Sequence, residues 1–479
     1  MKNLKPQGLW NNFYDLTQIP RPSGKKEEIS AFLANYGRSL GLETIVDGIG
    51  NVIIRKPASP GYENHPGVIL QGHMDMVPQK NNDTLFDFSK DPIEAYIDGE
   101  WVTAKGTTLG ADNGIGVAAA MAILADKSVV HPPLEVLITV DEETGMYGAF
   151  ALEGGVLQGK YLLNLDSEAE GELYVGCAGG VDTTAKFAYT PVEVEEGDVA
   201  VKVSVTGLKG GHSGCDIHLQ RANANKLLFR FLKEAVANYE ARLASVEGGS
   251  LRNAIPREAS AIITVPAEGV EDIMDLVAEC EDLFVSEYAG IDDDIRLTAQ
   301  EVACPATELP EDVQDFLIHA ITVCPHGVYR VIPEMPEVVE TSNNLAMLKT
   351  EDNCVTIHCL TRSSVESRKE ELQEMIHSTF AMAGAVVEFT GSYPGWKPNF
   401  KSHILDVMSS TYQSNYGVAP QVIVIHAGLE CGIIGRNYPG MDMISFGPTI
   451  KYPHSPDEKV NVPSVAKFYE YLLATLKAL

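Results

Sequence analysis

Apolar and polar positions recur along this chain with two different periods, and the change of period marks its organisation. In the first part, "EEISAFLANYGRSLG" repeats its apolar residues every three or four positions, which predicts an amphipathic helix. "NVIIRK" and "GVILQ" are short apolar runs and predict strands. "GIGVAAAMAILAD" predicts a second helix, and "LEVLITV" and "YLLNL" two more strands. Strands alternating with helices predict an α/β fold, a mostly parallel sheet flanked by helices.

Near Gly179 the texture changes to strand pairs interrupted by helices. These helices are expected at roughly Ile217–Leu243, Val270–Tyr288, Glu311–Val323 and Glu366–Met382. "ASAIITV", "NLAMLK", "CVTIHCL" and "AVVEF" read as strands between them. After "GSYPGWKPN" the first texture returns, with a helix in "HILDVMSSTYQSNYG", strands in "QVIVIHAG" and "MDMISF", and a terminal helix in "VPSVAKFYEYLLATLKAL". The expected division is a catalytic domain in two parts, 1–180 and 394–479, with an α+β lid domain, 181–393, inserted between them.

Composition narrows the partners. A length of 479 residues calls for at least two cores. With 66 acidic against 36 basic residues the net charge is −30, a field that repels nucleic acids and anionic membranes. No apolar run approaches the ~20 residues of a membrane span, and the N-terminus lacks the apolar core of a signal peptide. Eight cysteines fall at irregular spacing without a C-x-x-C, so reduced thiols in a cytoplasmic protein are expected.

The chemistry sits where strands end. Open α/β sheets place functional side chains past the carboxyl ends of their strands. Here "GVILQG" leads to His73 and Asp75, "LEVLITV" to Glu142 and Glu143, "YLLNL" to Asp166, and "MDMISFGPTIKYP" to His454. Asp112 lies in a glycine-rich loop that opens a helix. Each residue alone has a plainer reading: Asp112 as an N-cap, the glutamates as a solvated strand end, His73 with Asp75 as a polar strand terminus. Together they form an N/O donor set that suits zinc, cobalt or manganese. Taken one from each of the four strand ends and one from the helix start, five donors exceed one open tetrahedral site and fit two divalent ions that share a carboxylate. "GADNGIG" lacks the dinucleotide spacing, and "GHSGC" is not a serine-nucleophile elbow.

The stretches "GHMDMVP", "GADNGIGVA", "DEETGM", "NLDSE" and "HSPDE" resemble the motifs of the M20 metallopeptidases. "GGHSGCDIH", "SLRNAIPREA", "TRSS" and "HAGLECGI" are most similar to the aminoacyl-histidine dipeptidase branch of that family. The resemblance implies two zinc ions, with cobalt or manganese as alternatives. His73 and Asp166 would hold one, Glu143 and His454 the other, and Asp112 would bridge. It implies Glu142 as general base and acid, Asp75 as the residue that orients His73, and His212 as the oxyanion donor. Arg362 would clamp a substrate carboxylate, since a guanidinium binds carboxylate bidentately. His426 and Glu430 would meet the other end of the substrate, and Asn253 would hold it near the lid. The expected activity is hydrolysis of unblocked dipeptides, preferably Xaa-His such as β-alanyl-histidine, by a homodimer. An M20-type deacylase, a di- or tripeptidase of other specificity, and a silent peptide-binding protein are the alternatives, the last disfavoured by an intact Glu142.

Overall fold

The structure is a computed structural model that describes residues 1 and 3–479 of the chain. The chain divides into two units. One comprises Met1–Gly176, Trp396–Val424 and Leu429–Leu479; the other comprises Cys177–Gly395 and Ile425–Gly428. The four residues Ile425–Gly428 thus join the second unit from within a stretch that reads, in sequence, as part of the first.

The first unit is α/β. Its sheet runs in the order Glu43–Val46, Val52–Lys56, Leu134–Thr139, Val68–His73, Tyr161–Asn164, Asp442–Ser445, Glu172–Cys177, Gln421–Ile425. The four central strands, Leu134–Thr139 to Asp442–Ser445, pair in parallel, and antiparallel pairs flank them. Val68–His73, Leu134–Thr139 and Tyr161–Asn164 are buried along their whole length, which explains their continuous apolar letters. The helix Ala111–Ala125 packs on Val68–His73 and on the helix Gln7–Thr17. Nearly all of it is buried, so its sequence is apolar on every face. The terminal helix Val462–Ala478 starts where Asn461 caps the Ser464 amide, with proline in its first turn.

The second unit is an antiparallel sheet with helices on one face. Its order is Arg296–Val302, Asp198–Thr206, Ala259–Pro266, Arg242–Gly248, Met335–Glu351, Cys354–Ser363, Gly179–Ala188, Val386–Tyr393, with Gly327–Ile332 also paired to Met335–Glu351. In Asp198–Thr206 the residues Val201, Val203 and Val205 are buried while Lys202 is exposed, the alternation of a one-sided sheet. The helices Val270–Glu287, Glu311–Val323 and Glu366–Met382 lie close to their expected places. The stretch expected as one helix over Ile217–Leu243 is broken. A 3-10 turn at Ile217–Leu219 ends in Gln220 with φ 53°, and the α-helix begins only at Ala224, where Asn223 caps the Lys226 amide. Arg242–Gly248 is already a strand. Local side-chain capping and a sheet position override the helical letters here. No helix among the described residues is long and apolar enough to cross a membrane.

Candidate active site

The parallel strands of the first unit end together, and the residues that follow them converge. His73 closes Val68–His73 opposite Thr139, so His73 and the Glu142–Glu143 pair leave neighbouring strands side by side. Asp166 follows Tyr161–Asn164, and Asp112 comes from the first turn of Ala111–Ala125. His454 reaches in from the turn between Ile450–Lys451 and Lys459–Asn461, with a left-handed backbone (φ 59°).

Asp112 faces two histidines with its two oxygens. Oδ1 lies 3.1 Å from His73 Nε2 and Oδ2 lies 3.2 Å from His454 Nε2. Asp166 Oδ1 is 3.3 Å from His73 Nε2, and Glu143 Oε2 is 2.9 Å from His454 Nε2. His73, Asp112 and Glu143 offer ligand atoms within 4.8 Å of one another. On the other side of its ring, His73 Nδ1 lies 3.1 Å from the Asp75 carbonyl and 3.5 Å from its carboxylate. These two acceptors favour a proton on Nδ1. Nε2 then faces carboxylate oxygens of both Asp112 and Asp166, where either a second ring proton or a bound cation balances their charge. His73 Nε2 can hydrogen-bond only one of its two carboxylates, and Asp166 Oδ1 is buried without a donor among the described residues. An unpaired buried oxygen in a purely N/O set fits a divalent ion.

Asp75 does more than face His73. It accepts from Ser23 Oγ at 2.7 Å and from the Glu142 and Glu143 amides at 3.0 and 3.4 Å. It therefore fixes the loop that carries both glutamates. Glu430 lies beneath the strand ends, 1% exposed, with Oε2 held by Gln71 Nε2 at 2.6 Å and Thr139 Oγ1 at 2.8 Å.

The remaining expected residues belong to the second unit. His212 Nδ1 accepts from the Gly214 and Cys215 amides, both at 3.1 Å, so its proton sits on Nε2. Desolvation and the Arg362 charge lower its pKa and keep the ring neutral. Asn253 accepts at its carbonyl from the Ser213 amide at 2.8 Å, which steadies the same loop. His426 is buried, its Nε2 2.7 Å from Ser342 Oγ, and desolvation followed by the Arg362 charge pushes its pKa down to about 3. Arg362 is 6% exposed, with Nη1 on Tyr393 Oη at 2.9 Å.

The family described as peptidase family M20/M25/M40 matches residues 69–478. The chain belongs to this family. It is 46% identical over 477 residues to the cytosol non-specific dipeptidase of Escherichia coli, covering 100% of this chain and 98% of that one. The crystal structure of an aminoacylhistidine dipeptidase from Vibrio alginolyticus matches with a TM-score of 0.96 and 49% identity, over 100% of this chain and 98% of the other. An aminopeptidase structure from Bacillus cereus, 18% identical over 99% of each chain with a TM-score of 0.57, shares the fold.

In this M20 chain the electrostatics follow from crowding. Burial opposes a charged His73, yet the Asp166 charge and the Asp112 hydrogen bond hold its pKa well above the ordinary value. Hydrogen bonds donated to Asp112 and Glu143 raise His454 to about 11. Glu142 is raised well above a normal carboxyl, by desolvation first; His73 opposes the rise, and the charges of Asp166, Glu430 and Glu143 add to it. Desolvation also raises Asp166 to about 7.

Three supporting residues escape the sequence reading. Glu458, 2% exposed, accepts from four successive amides, Leu109, Gly110, Ala111 and Asp112, at 2.7, 2.9, 2.7 and 3.2 Å. It fills the amide-rich start of the Ala111–Ala125 helix and ties it to the His454 turn. Arg21 is buried and donates to the Met74, Asp75 and Gly110 carbonyls, joining the His73 and Asp112 loops. Asn113 accepts from the His73 amide at 3.3 Å and donates to the Leu165 carbonyl at 2.6 Å. Glu458 stands within "HSPDE" and Asn113 within "GADNG", so proximity to the motifs was the available signal. Arg21, in "RPSG", carries none.

Proposed function

We propose that this M20 peptidase is a cytoplasmic metallo-dipeptidase that cleaves dipeptides with a free amino end, with Xaa-His among its preferred substrates. The observation that carries the reading is Asp112, whose two oxygens each face a different histidine–carboxylate pair, His73 with Asp166 and His454 with Glu143. Those five residues would hold two divalent ions, zinc by preference, with Asp112 shared. When bound, such ions supply Lewis-acid polarisation of the scissile carbonyl and an acidified water.

The chain's own groups do the rest. Glu142 takes a proton from the attacking water and delivers it to the leaving amine nitrogen. Asp75 keeps the proton of His73 on Nδ1 and holds the Glu142 amide in place. His212, neutral with its proton on Nε2, is a donor for the oxyanion of the tetrahedral intermediate. Arg362 receives the C-terminal carboxylate, and His426 and Asn253 border the substrate. Glu430 acts from beneath, through Gln71 and Thr139 on the strands that carry His73 and lead to Glu142. The histidine preference is supported only by similarity to the aminoacylhistidine dipeptidase.

Metal analysis tests the shared carboxylate. Asp112→Ala should lose both ions, whereas His73→Ala should lose mainly one; two tightly held ions in Asp112→Ala would remove the bridge. kcat/KM across Xaa-His, Xaa-Leu and Xaa-Gly dipeptides, a tripeptide and N-acetylated amino acids tests the substrate class. Preference for the acetylated compounds would make the protein a deacylase instead.

A further inference from the structure

The sheet of the second unit sets Arg362 in a row of cross-strand neighbours. Arg362 pairs with Ser342 on one side and Gly180 on the other, and Gly180 pairs in turn with Tyr393 on the edge strand. Residues paired in this way share a face of the sheet. The Tyr393 ring spans Gly180 to place its oxygen 2.9 Å from Arg362 Nη1. A Cβ on Gly180 would lie 2.7–2.8 Å from atoms of that ring, so only glycine leaves the path open.

Tyr393 is itself anchored. Lys369, 1% exposed, donates through Nζ to the Tyr393 carbonyl at 2.7 Å and to Ser392 Oγ at 3.3 Å, and it pairs with Glu366 at 2.9 Å. Burying an ammonium group is costly, and this one is satisfied at the residue that meets Arg362. On the opposite side of Arg362, Ser342 is engaged by His426 at 2.7 Å. The guanidinium is tied at Nη1 by Tyr393, while its Nε, buried, has no acceptor among the described residues. A planar guanidinium with one edge taken and an unpaired N–H on the other is arranged for a bidentate acceptor.

We propose that Tyr393 is the positioning residue of the carboxylate clamp. By occupying Nη1 it directs the Nε–Nη2 edge of Arg362 to the C-terminal carboxylate, and so sets the preference for free acids over blocked C-termini. The inference rests on the reading of Arg362 as that clamp. Holding the guanidinium in place beforehand lowers the ordering cost of binding, so the effect belongs to substrate affinity rather than to bond cleavage.

The test compares competition constants of a dipeptide and its C-terminal amide against a reporter dipeptide, in wild type, Tyr393→Phe, Gly180→Ala and Arg362→Ala. Tyr393→Phe should lower the acid-over-amide ratio by about tenfold, the scale of one hydrogen bond to a charged group. KM for the free acid should rise with kcat and metal content nearly unchanged. Gly180→Ala, which displaces the ring, should act the same way. A merely structural role would weaken acid and amide alike, and an equal loss or an unchanged ratio in Tyr393→Phe would overturn the proposal. If Arg362→Ala abolishes the ratio while Tyr393→Phe keeps it, the clamp stands and the positioning role falls. If Arg362→Ala keeps the ratio, the clamp reading fails and takes this inference with it.

Discussion

Glu142 and Glu143 are adjacent in sequence yet have different neighbours. Glu143 lies 2.9 Å from His454, whereas among the described residues no ion pair holds the Glu142 carboxyl, which burial pushes toward its protonated form. Glu142→Gln should therefore keep its metal ions and lose ~10²–10⁴ in turnover, the usual contribution of a general acid–base group. Near-normal turnover with a full metal complement would assign proton transfer elsewhere. Glu458 supports a second expectation. Its carboxylate accepts from four amides, and an amide side chain would turn an NH₂ toward donors it cannot satisfy. Glu458→Gln should weaken metal affinity ~10–100-fold, as outer partners of metal ligands commonly do. Competition with a chelating dye would measure it, and unchanged affinity would make Glu458 a purely structural cap.

At the scale of elements, the site depends on how closely the Ala111–Ala125 helix meets the strand ends. A Cβ at Gly116 would lie 2.5 Å from the Leu165 carbonyl oxygen, which belongs to the residue before Asp166. Alanine gains up to ~1 kcal/mol of helix propensity over glycine. Overpacking against backbone costs ~1–3 kcal/mol, and this backbone cannot yield without moving Asp166. The clash should win: Gly116→Ala should melt at a lower temperature and bind metal more weakly, and a more stable variant would refute this. The same scale shows which letters were readable. Fully buried strands announced themselves as apolar runs, and the strand ends followed from them. The expected helix over Ile217–Leu243 did not survive, because capping by Asn223 and pairing of Arg242–Gly248 into the sheet depend on neighbours remote in sequence.

At the scale of the whole molecule, stability should carry the mark of two neutral histidines in the second unit, His426 buried and His326 partly buried. Desolvation pushes both His326 and His426 down to about 3 from an ordinary 6.5. His326 Nδ1 accepts from Asn223 Nδ2 at 3.2 Å and from the Leu345 amide at 3.4 Å, bonds that need the neutral ring. Between those two values the unfolded chain binds more protons than the folded one, so stability is full above 6.5 and declines as pH falls toward 3. Urea midpoints measured from pH 7 to pH 4 should fall less steeply in the His326→Gln, His426→Gln double variant than in wild type. Equal slopes would show that these rings are not held neutral.

The sequence by itself determined the α/β character, the family resemblance and the identity of the residues at the strand ends. Those features are local: a buried strand must be apolar, and a chain that leaves it must present its polar residues at the exit. Only the tertiary structure decided that Asp112 turns one oxygen to each histidine, that Glu458 ties the His454 turn to the start of the Asp112 helix, and that Tyr393 reaches Arg362 across Gly180. Such contacts join residues up to hundreds of positions apart, and a periodic pattern records which face a residue takes but not which partner meets it there.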